Sequence, residues 1–340
     1  MACTFSLAFP TRYRHAVDAG CAALDEIERL EEKLSVYRPD SDVSRINCEA
    51  RERAVVADAE VFAVLEIADR ISGATEGAFD IASGALSRAW GFYKGPKQVP
   101  VEQIRLAATA ASGMRHVQLD AGTRTVRFLH PGVELNLGAI GKGYAIDRAL
   151  ALLASEWGPG AVLMHGGQSS IRAIGAPPGE PEGWLVAIGD PFRPGRAVAS
   201  VRLRDRALGS SGADHQFFEY GGRRYGHILD PRTGVPALQL ASATALAPTA
   251  AEADALSTAF FVLGVERTRQ YIRTHSGISA VLVTKPRKDQ RPAVIGLGLD
   301  RSQIEFVLPH KPEPAGTLRQ PMPGAHPAGL FQAREEVRHA

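Results

Sequence analysis

From residue 14 to residue 34 the side chains Val17, Cys21, Leu24, Ile27 and Leu34 recur at helical spacing, with charged residues between them. That period predicts an amphipathic helix with one face turned to a core. A second helix is predicted over 59–72, where Val61, Leu65, Ala68 and Ile71 share one side. From about Val117 the pattern changes to short β-rich runs at 125–129, 133–137, 161–164 and 184–188, punctuated by Gly and Pro. Helical patterns return at 142–156 and 250–264. The alternation predicts a mixed α/β fold (α+β in the broad sense), with helices packed on a mixed β-sheet. After Leu308 the periodicity ends among Pro309, Pro312, Pro314, Pro321, Pro323 and Pro327. Residues 1–307 are therefore read as one domain and 308–340 as a disordered tail.

Composition narrows the function classes only slightly. With 45% hydrophobic and 22% charged residues, the 340-residue chain can bury a sizeable core. Its 39 basic and 37 acidic residues are interspersed and leave a net charge of +2, so no basic field marks a nucleic-acid or membrane binder. Cys3, Cys21 and Cys48 are odd in number and lack CxxC spacing, which points to neither a disulfide framework nor a zinc site. Cys21, inside a helical pattern, is expected to be a small core residue. No apolar run approaches the roughly 20 residues needed to span a bilayer. The first residues lack the basic and apolar regions of a signal peptide, so the chain as given reads as cytoplasmic, or as exported or anchored if the true start lies upstream.

Three stretches carry candidate chemistry. The run 134–147, ELNLGAIGKGYAID, enters a Gly-rich turn and then a helix, so backbone N–H groups and Lys142 could face a phosphate; a plain helix cap with solvated lysine is the alternative. In 250–264, Asp254 and Thr258 stack one turn apart, opposite Leu256, Ala259, Phe260 and Leu263. A carboxylate and a hydroxyl so placed suit Mg²⁺ completed by water and phosphate oxygens; a surface Asp at a helix start is the alternative. In 225–234, YGHILDPRTG, His227 precedes a rigid turn that would fix its ring for general-base work, and Asp230 either orients it or starts the turn. The Gly-rich stretches 164–170 and 209–213 either bring backbone near a ligand or are plain turns.

In this order the motifs resemble the ApbE family of FAD:protein FMN transferases. The resemblance covers about residues 1–300 and rests on YRPDSDVSRIN at 37–47, GAFDI at 77–81 with Trp90 and Gly91, and LGAIGKGY at 137–144. Gly166, Gly167, Ser211 and Gly212 add to it, as do HILDPRTG at 227–234 and ADALST at 253–258. It implies an α/β fold with FAD in a cleft and Mg²⁺ on its diphosphate. By the same resemblance the metal ligands are Asp254, Thr258 and the Ala139 backbone carbonyl. Ala78, Phe79, Asp80, Asn136, Lys142 and Ile228 then hold FAD, and His227 takes part in transfer. The implied reaction moves FMN to a Thr or Ser hydroxyl of an acceptor flavoprotein and releases AMP. An FAD diphosphatase and a non-catalytic FAD-binding protein are the other readings. Asn136 stands where the family commonly has Asp, which removes a negative charge beside the diphosphate, and Ser210 stands where Thr is common; His165 and Gln168 also depart from the pattern, which bears on the acceptor side of the cleft.

Overall fold

The computed structural model describes residues 3–212, 216–286, 292–300 and 303–306. The Pro-rich stretch read as a disordered tail lies outside the described residues. The helices are α1 (Ala16–Leu34), α2 (Asp42–Glu49), α3 (Ala59–Ala74), α4 (Gly84–Ala89), α5 (Glu102–Ala111), α6 (Gly141–Glu156) and α7 (Ala250–Thr274). The strands are β1 (Phe5–Ala8), β2 (Val55–Val56), β3 (Val117–Asp120), β4 (Thr125–Phe128), β5 (Val162–Gly166) and β6 (Ser170–Ile174). They continue with β7 (Trp184–Gly189), β8 (Ala197–Leu203), β9 (Arg206–Gly212), β10 (Phe217–Tyr220), β11 (Arg223–Gly226) and β12 (Leu229–Asp230). The last are β13 (Val235–Pro236), β14 (Leu240–Ala247), β15 (Ser279–Thr284), β16 (Val294–Leu297) and β17 (Ile304–Phe306).

The central sheet has seven strands in the order β1-β5-β6-β9-β14-β15-β16. The mixed α/β class stands, but the pairing expected to be mixed is antiparallel between every pair of neighbours. Helical patterns between strand patterns resemble crossover units, yet here strands such as β5 and β6 turn straight back on each other. Period-2 alternation then splits the side chains between two cores. On β15, Ala280 and Leu282 face the helices, whereas Val281 and Val283 face a second, three-stranded sheet of β17, β8 and β7.

The helical layer departs from the expected stripes in one instructive way. Helix α1 buries Ala19, Ala23, Ile27, Leu30 and Leu34, while Val17 is 56% exposed and Cys21 is exposed rather than part of the core. The buried line is set by the small residues Ala19 and Ala23, which let α1 lie against α6. Helix α3 buries Val61, Leu65, Ala68 and Ile71 as expected and packs on α7. Helix α7 is buried on nearly all sides from Ala250 to Gly264, where φ of 72° breaks the helical path. Only glycine takes that conformation readily, and beyond it the helix becomes partly exposed.

The segment 133–137 was expected to be a strand and is not one. Its residues alternate in burial, but its backbone bonds go to helix and loop residues rather than to a neighbouring strand. Asn47 on α2 takes the place of a neighbouring strand: its Oδ1 accepts from the N–H of Leu135 at 2.8 Å, and its Nδ2 donates to the Leu135 carbonyl at 3.0 Å. The N–H of Asn136 donates to the Ile81 carbonyl at 2.7 Å, and that of Gly84 to the Glu134 carbonyl at 2.9 Å. Extended backbone is thus satisfied without a ladder. Asn47→Ala leaves both polar groups of the fully buried Leu135 without these partners and is expected to cost about 1–3 kcal/mol. Urea unfolding of the two proteins checks this, with Asn47→Asp, which keeps the acceptor, lying between them.

Candidate active site

Where the start of α7 meets β9, the turn before α6 and the base of the β10–β11 ribbon, the surface folds into a cavity of about 450 Å³. Ala78, Phe79, Asp80, Asn136, Ala139, Lys142, His227, Ile228, Asp254 and Thr258 all line it. The motifs are far apart in the chain, so it is the fold that brings them together.

Two close approaches between backbones build the deepest wall. A Cβ on Gly143 would stand 2.1 Å from the Ala250 carbonyl oxygen, and one on Gly209 2.3 Å from that of Ala253. Glycine at both positions lets α7 settle against α6 and β9. Asp254 is thereby carried inward to 7% exposure, so the reading as a surface aspartate is overturned. Its Oδ2 accepts from the N–H of Gly143 at 2.9 Å and from the hydroxyl of Ser170 at 2.8 Å. No hydrogen bond among the described residues reaches Oδ1. Burial pushes the carboxyl up to about 7, against the opposing pull of Lys142 and the two hydrogen bonds. Beside it lies a set of hydroxyls: Ser211 bonds to Ser257 at 2.8 Å and to Thr258 at 3.2 Å.

The Gly-rich turn works differently from a phosphate cradle. The N–H of Gly141 donates to the Leu137 carbonyl at 2.7 Å, and that of Gly143 is taken by Asp254, so the helix start is largely satisfied within the protein. The positive group left for a ligand is Lys142, half-buried, whose Nζ donates to Ser169 at 2.6 Å. Asn136 Oδ1 accepts from the Gly138 N–H at 2.9 Å and so closes the turn that presents Ala139. Asp80 is occupied structurally: it accepts from the N–H groups of Ala82 and Met114 and from the Ser72 hydroxyl. Its carboxylate therefore anchors the wall that Ala78 and Phe79 line.

His227 stands on the other side. A carbonyl can only accept, so the 3.1 Å contact from Nδ1 to the Gln216 carbonyl makes Nδ1 the protonated nitrogen and places the neutral ring's lone pair on Nε2. Phe92 packs edge-on against the ring at 6.4 Å, and Trp90, Phe218 and Tyr225 form an aromatic base under the ribbon. Asp230 takes the turn role: it is bound by the backbone and side chain of Arg232 and accepts from Gly234 through its carbonyl. Phe92, Tyr93, Ser169, Ser257 and Gln216 also line the cavity, and sequence reasoning gave them no role. A hydroxyl or aromatic residue has no spacing signature of its own. His165, in contrast, does not line the cavity; it lies on the face of β5 shared with Leu163, toward the second core.

The sequence profile of the ApbE family matches residues 1–282 of the chain. The chain belongs to the ApbE family. A relative from Treponema pallidum named FAD:protein FMN transferase is 34% identical, covering 84% of both chains. One of the same name from Salmonella typhimurium is 34% identical over 74% of this chain and 73% of its own. Among solved structures, the flavin transferase ApbE from Vibrio cholerae superposes with a TM-score of 0.76 at 27% identity, covering 87% of this chain and 94% of its own. The ApbE protein of Thermotoga maritima gives 0.75 at 28%, covering 85% and 93%.

The raised Asp254 carboxyl gives this ApbE-family chain a defined pH response. Its folded value lies above the ordinary 3.8, so its share of stability is full below about pH 4 and is lost as pH rises through about 7. Without divalent cations, the melting temperature is expected to fall over that window, and Asp254→Asn to flatten the fall. Thermal unfolding of both proteins in matched buffers checks this.

Proposed function

We propose that the chain is a Mg²⁺-dependent transferase that moves FMN from FAD to a Thr or Ser hydroxyl of an acceptor flavoprotein, releasing AMP. The observation that carries this reading is the meeting of Asp254, Thr258, Lys142 and His227 in one cavity of a chain whose relatives are named FAD:protein FMN transferase. We assign the activity to a unit spanning 1–307, of which the family match covers 1–282.

The donor set fits Mg²⁺. No group of three or more His, Cys, Asp or Glu among the described residues could hold a metal; of the two carboxylates lining the cavity Asp80 is taken up by Ser72, Ala82 and Met114, which leaves Asp254, with the Thr258 hydroxyl and the Ala139 carbonyl. These are hard oxygens, too few for a closed cage, and such a set suits an ion that keeps water and shares diphosphate oxygens. A buried carboxylate with no hydrogen bond on Oδ1 is also a group that a cation would relieve. When bound, the ion supplies Lewis-acid stabilisation of charge on the diphosphate.

The chain's own groups account for the rest. Lys142, held by Ser169, places a positive charge where the diphosphate gains negative charge during transfer. His227 Nε2 takes the proton of the acceptor hydroxyl as that oxygen bonds to the FMN phosphorus. The bond from that phosphorus to the bridging oxygen breaks, and AMP leaves with the oxygen. Phe79, Ile228 and Phe92 give the cavity an apolar side for the flavin, and the serines give it a polar side for phosphate. No helix among the described residues is long and apolar enough to cross a membrane.

Incubation with FAD, Mg²⁺ and an acceptor flavoprotein domain is expected to yield a covalently fluorescent band and stoichiometric AMP. His227→Ala should lower the rate by about 10²–10⁴-fold while FAD still binds. Release of free FMN at a rate indifferent to the acceptor would replace this reading with that of a diphosphatase. Bound FAD without AMP formation would replace it with that of a binding protein.

A further inference from the structure

Asp147 stands one turn past Gly143 on α6 and does not line the cavity. Its Oδ1 accepts the N–H of Ala250 at 2.8 Å, and its Oδ2 that of Ala251 at 2.9 Å. These are the first two residues of α7, and their N–H groups have no acceptor within the helix. The helix's own cap is weaker: the Thr249 hydroxyl accepts from one backbone N–H, that of Glu252, at 3.3 Å, and donates to the same residue's carboxylate at 3.3 Å. Two anchors from one rigid carboxylate fix both the position and the roll of the first turn, which a single cap does not. Arg172 on β6 donates to Asp147 Oδ1, so the anchor is tied to the sheet as well as to α6.

Asp254 follows Ala250 by one turn, and Thr258 by two. Both side chains inherit whatever position the first turn is given, and reacting groups lose efficiency steeply when misplaced by an ångström. We propose that Asp147, braced by Arg172, is a positioning residue that sets where Asp254 and Thr258 stand for a divalent cation. The role rests on the cation-dependent transfer proposed above.

The test is a Mn²⁺ titration of the flavin-free full chain, followed by the EPR signal of the free ion. Asp147→Asn keeps the shape but loses one of two acceptors and the ion pair. It is expected to weaken Mn²⁺ binding by about 10–100-fold. The Mg²⁺ concentration for half-maximal FMN transfer should rise in step, with kcat at saturating Mg²⁺ retained. Thr249→Ala, which removes the helix's own cap, should lower the melting temperature and leave Mn²⁺ affinity unchanged. An Asp147→Asn protein that melts lower yet binds Mn²⁺ as the wild type does overturns the proposal, because Asp147 is then only a helix cap. If that variant does not fold, Asp147→Glu takes its place, keeping the charge pair but displacing the carboxylate by one methylene. Weaker Mn²⁺ binding supports the proposal, and unchanged binding overturns it. A wild type that binds no Mn²⁺ also overturns it, whereas a wild type that binds Mn²⁺ but transfers no FMN counts against the transfer reading alone.

Discussion

Helices α6 and α7 hold each other by exchanging carboxylates. Asp254 of α7 accepts from the N–H of Gly143 in the first turn of α6, and Asp147 of α6 accepts from the first two N–H groups of α7. Each helix start would otherwise leave buried donors unmatched. The exchange works only because Gly143 has no side chain, since a Cβ there would overlap the Ala250 carbonyl. With the matching approach of Gly209 on β9, this contact sets the cavity's deep wall: the inward position of Asp254, the alignment of Thr258 with Ser211, and the place of Lys142 at the preceding residue on α6.

The two aspartates share a task but differ in cost. Burial raises both carboxyls. Asp147 is answered by Arg172, an ion pair that spends its charge on structure. Among the described residues Asp254 has only a more distant Lys142 as a positive neighbour and keeps one oxygen without a hydrogen bond. A structure that answers one buried charge and leaves the other open has placed an electrostatic demand in its cavity, and an incoming cation is the simplest means of meeting it.

Much of this was legible in the sequence, though by unequal routes. Helical periods located α1, α3, α6 and the first part of α7, and β-rich runs located β4, β5 and β7 among the strands, because those patterns are imposed by the geometry of the elements themselves. They failed where side-chain size or distant partners decide. The buried line of α1 runs through Ala19 and Ala23 because a neighbouring helix needs small residues there, whereas a pattern reading weights the larger Val17. The alternation at 133–137 is real, but Asn47, 88 residues away, supplies the bonds that a strand would have supplied. The spacing of Asp254 and Thr258 showed that they share a helix face. It could not show that the face is buried, which depends on glycines in α6 and β9. Local pattern nominated Lys142, His227, Asp254 and Thr258, and only the ordered set of motifs added Ala78, Phe79, Asp80, Asn136, Ala139 and Ile228 among the residues that line the cavity.

The bond between Gly143 and Asp254 closes a loop of 111 residues. A contact of such sequence separation needs distant parts of the chain to be brought together, at a cost in chain entropy. The cavity is therefore not assembled piecemeal: until β9 and β14 have paired and α7 has docked, Lys142 and Asp254 have no fixed relation to each other. A ligand that needs both can bind only the finished fold and stabilises it in proportion to its concentration. On this view a ligand held by both groups also favours the finished fold over every form of the chain in which the two stand apart.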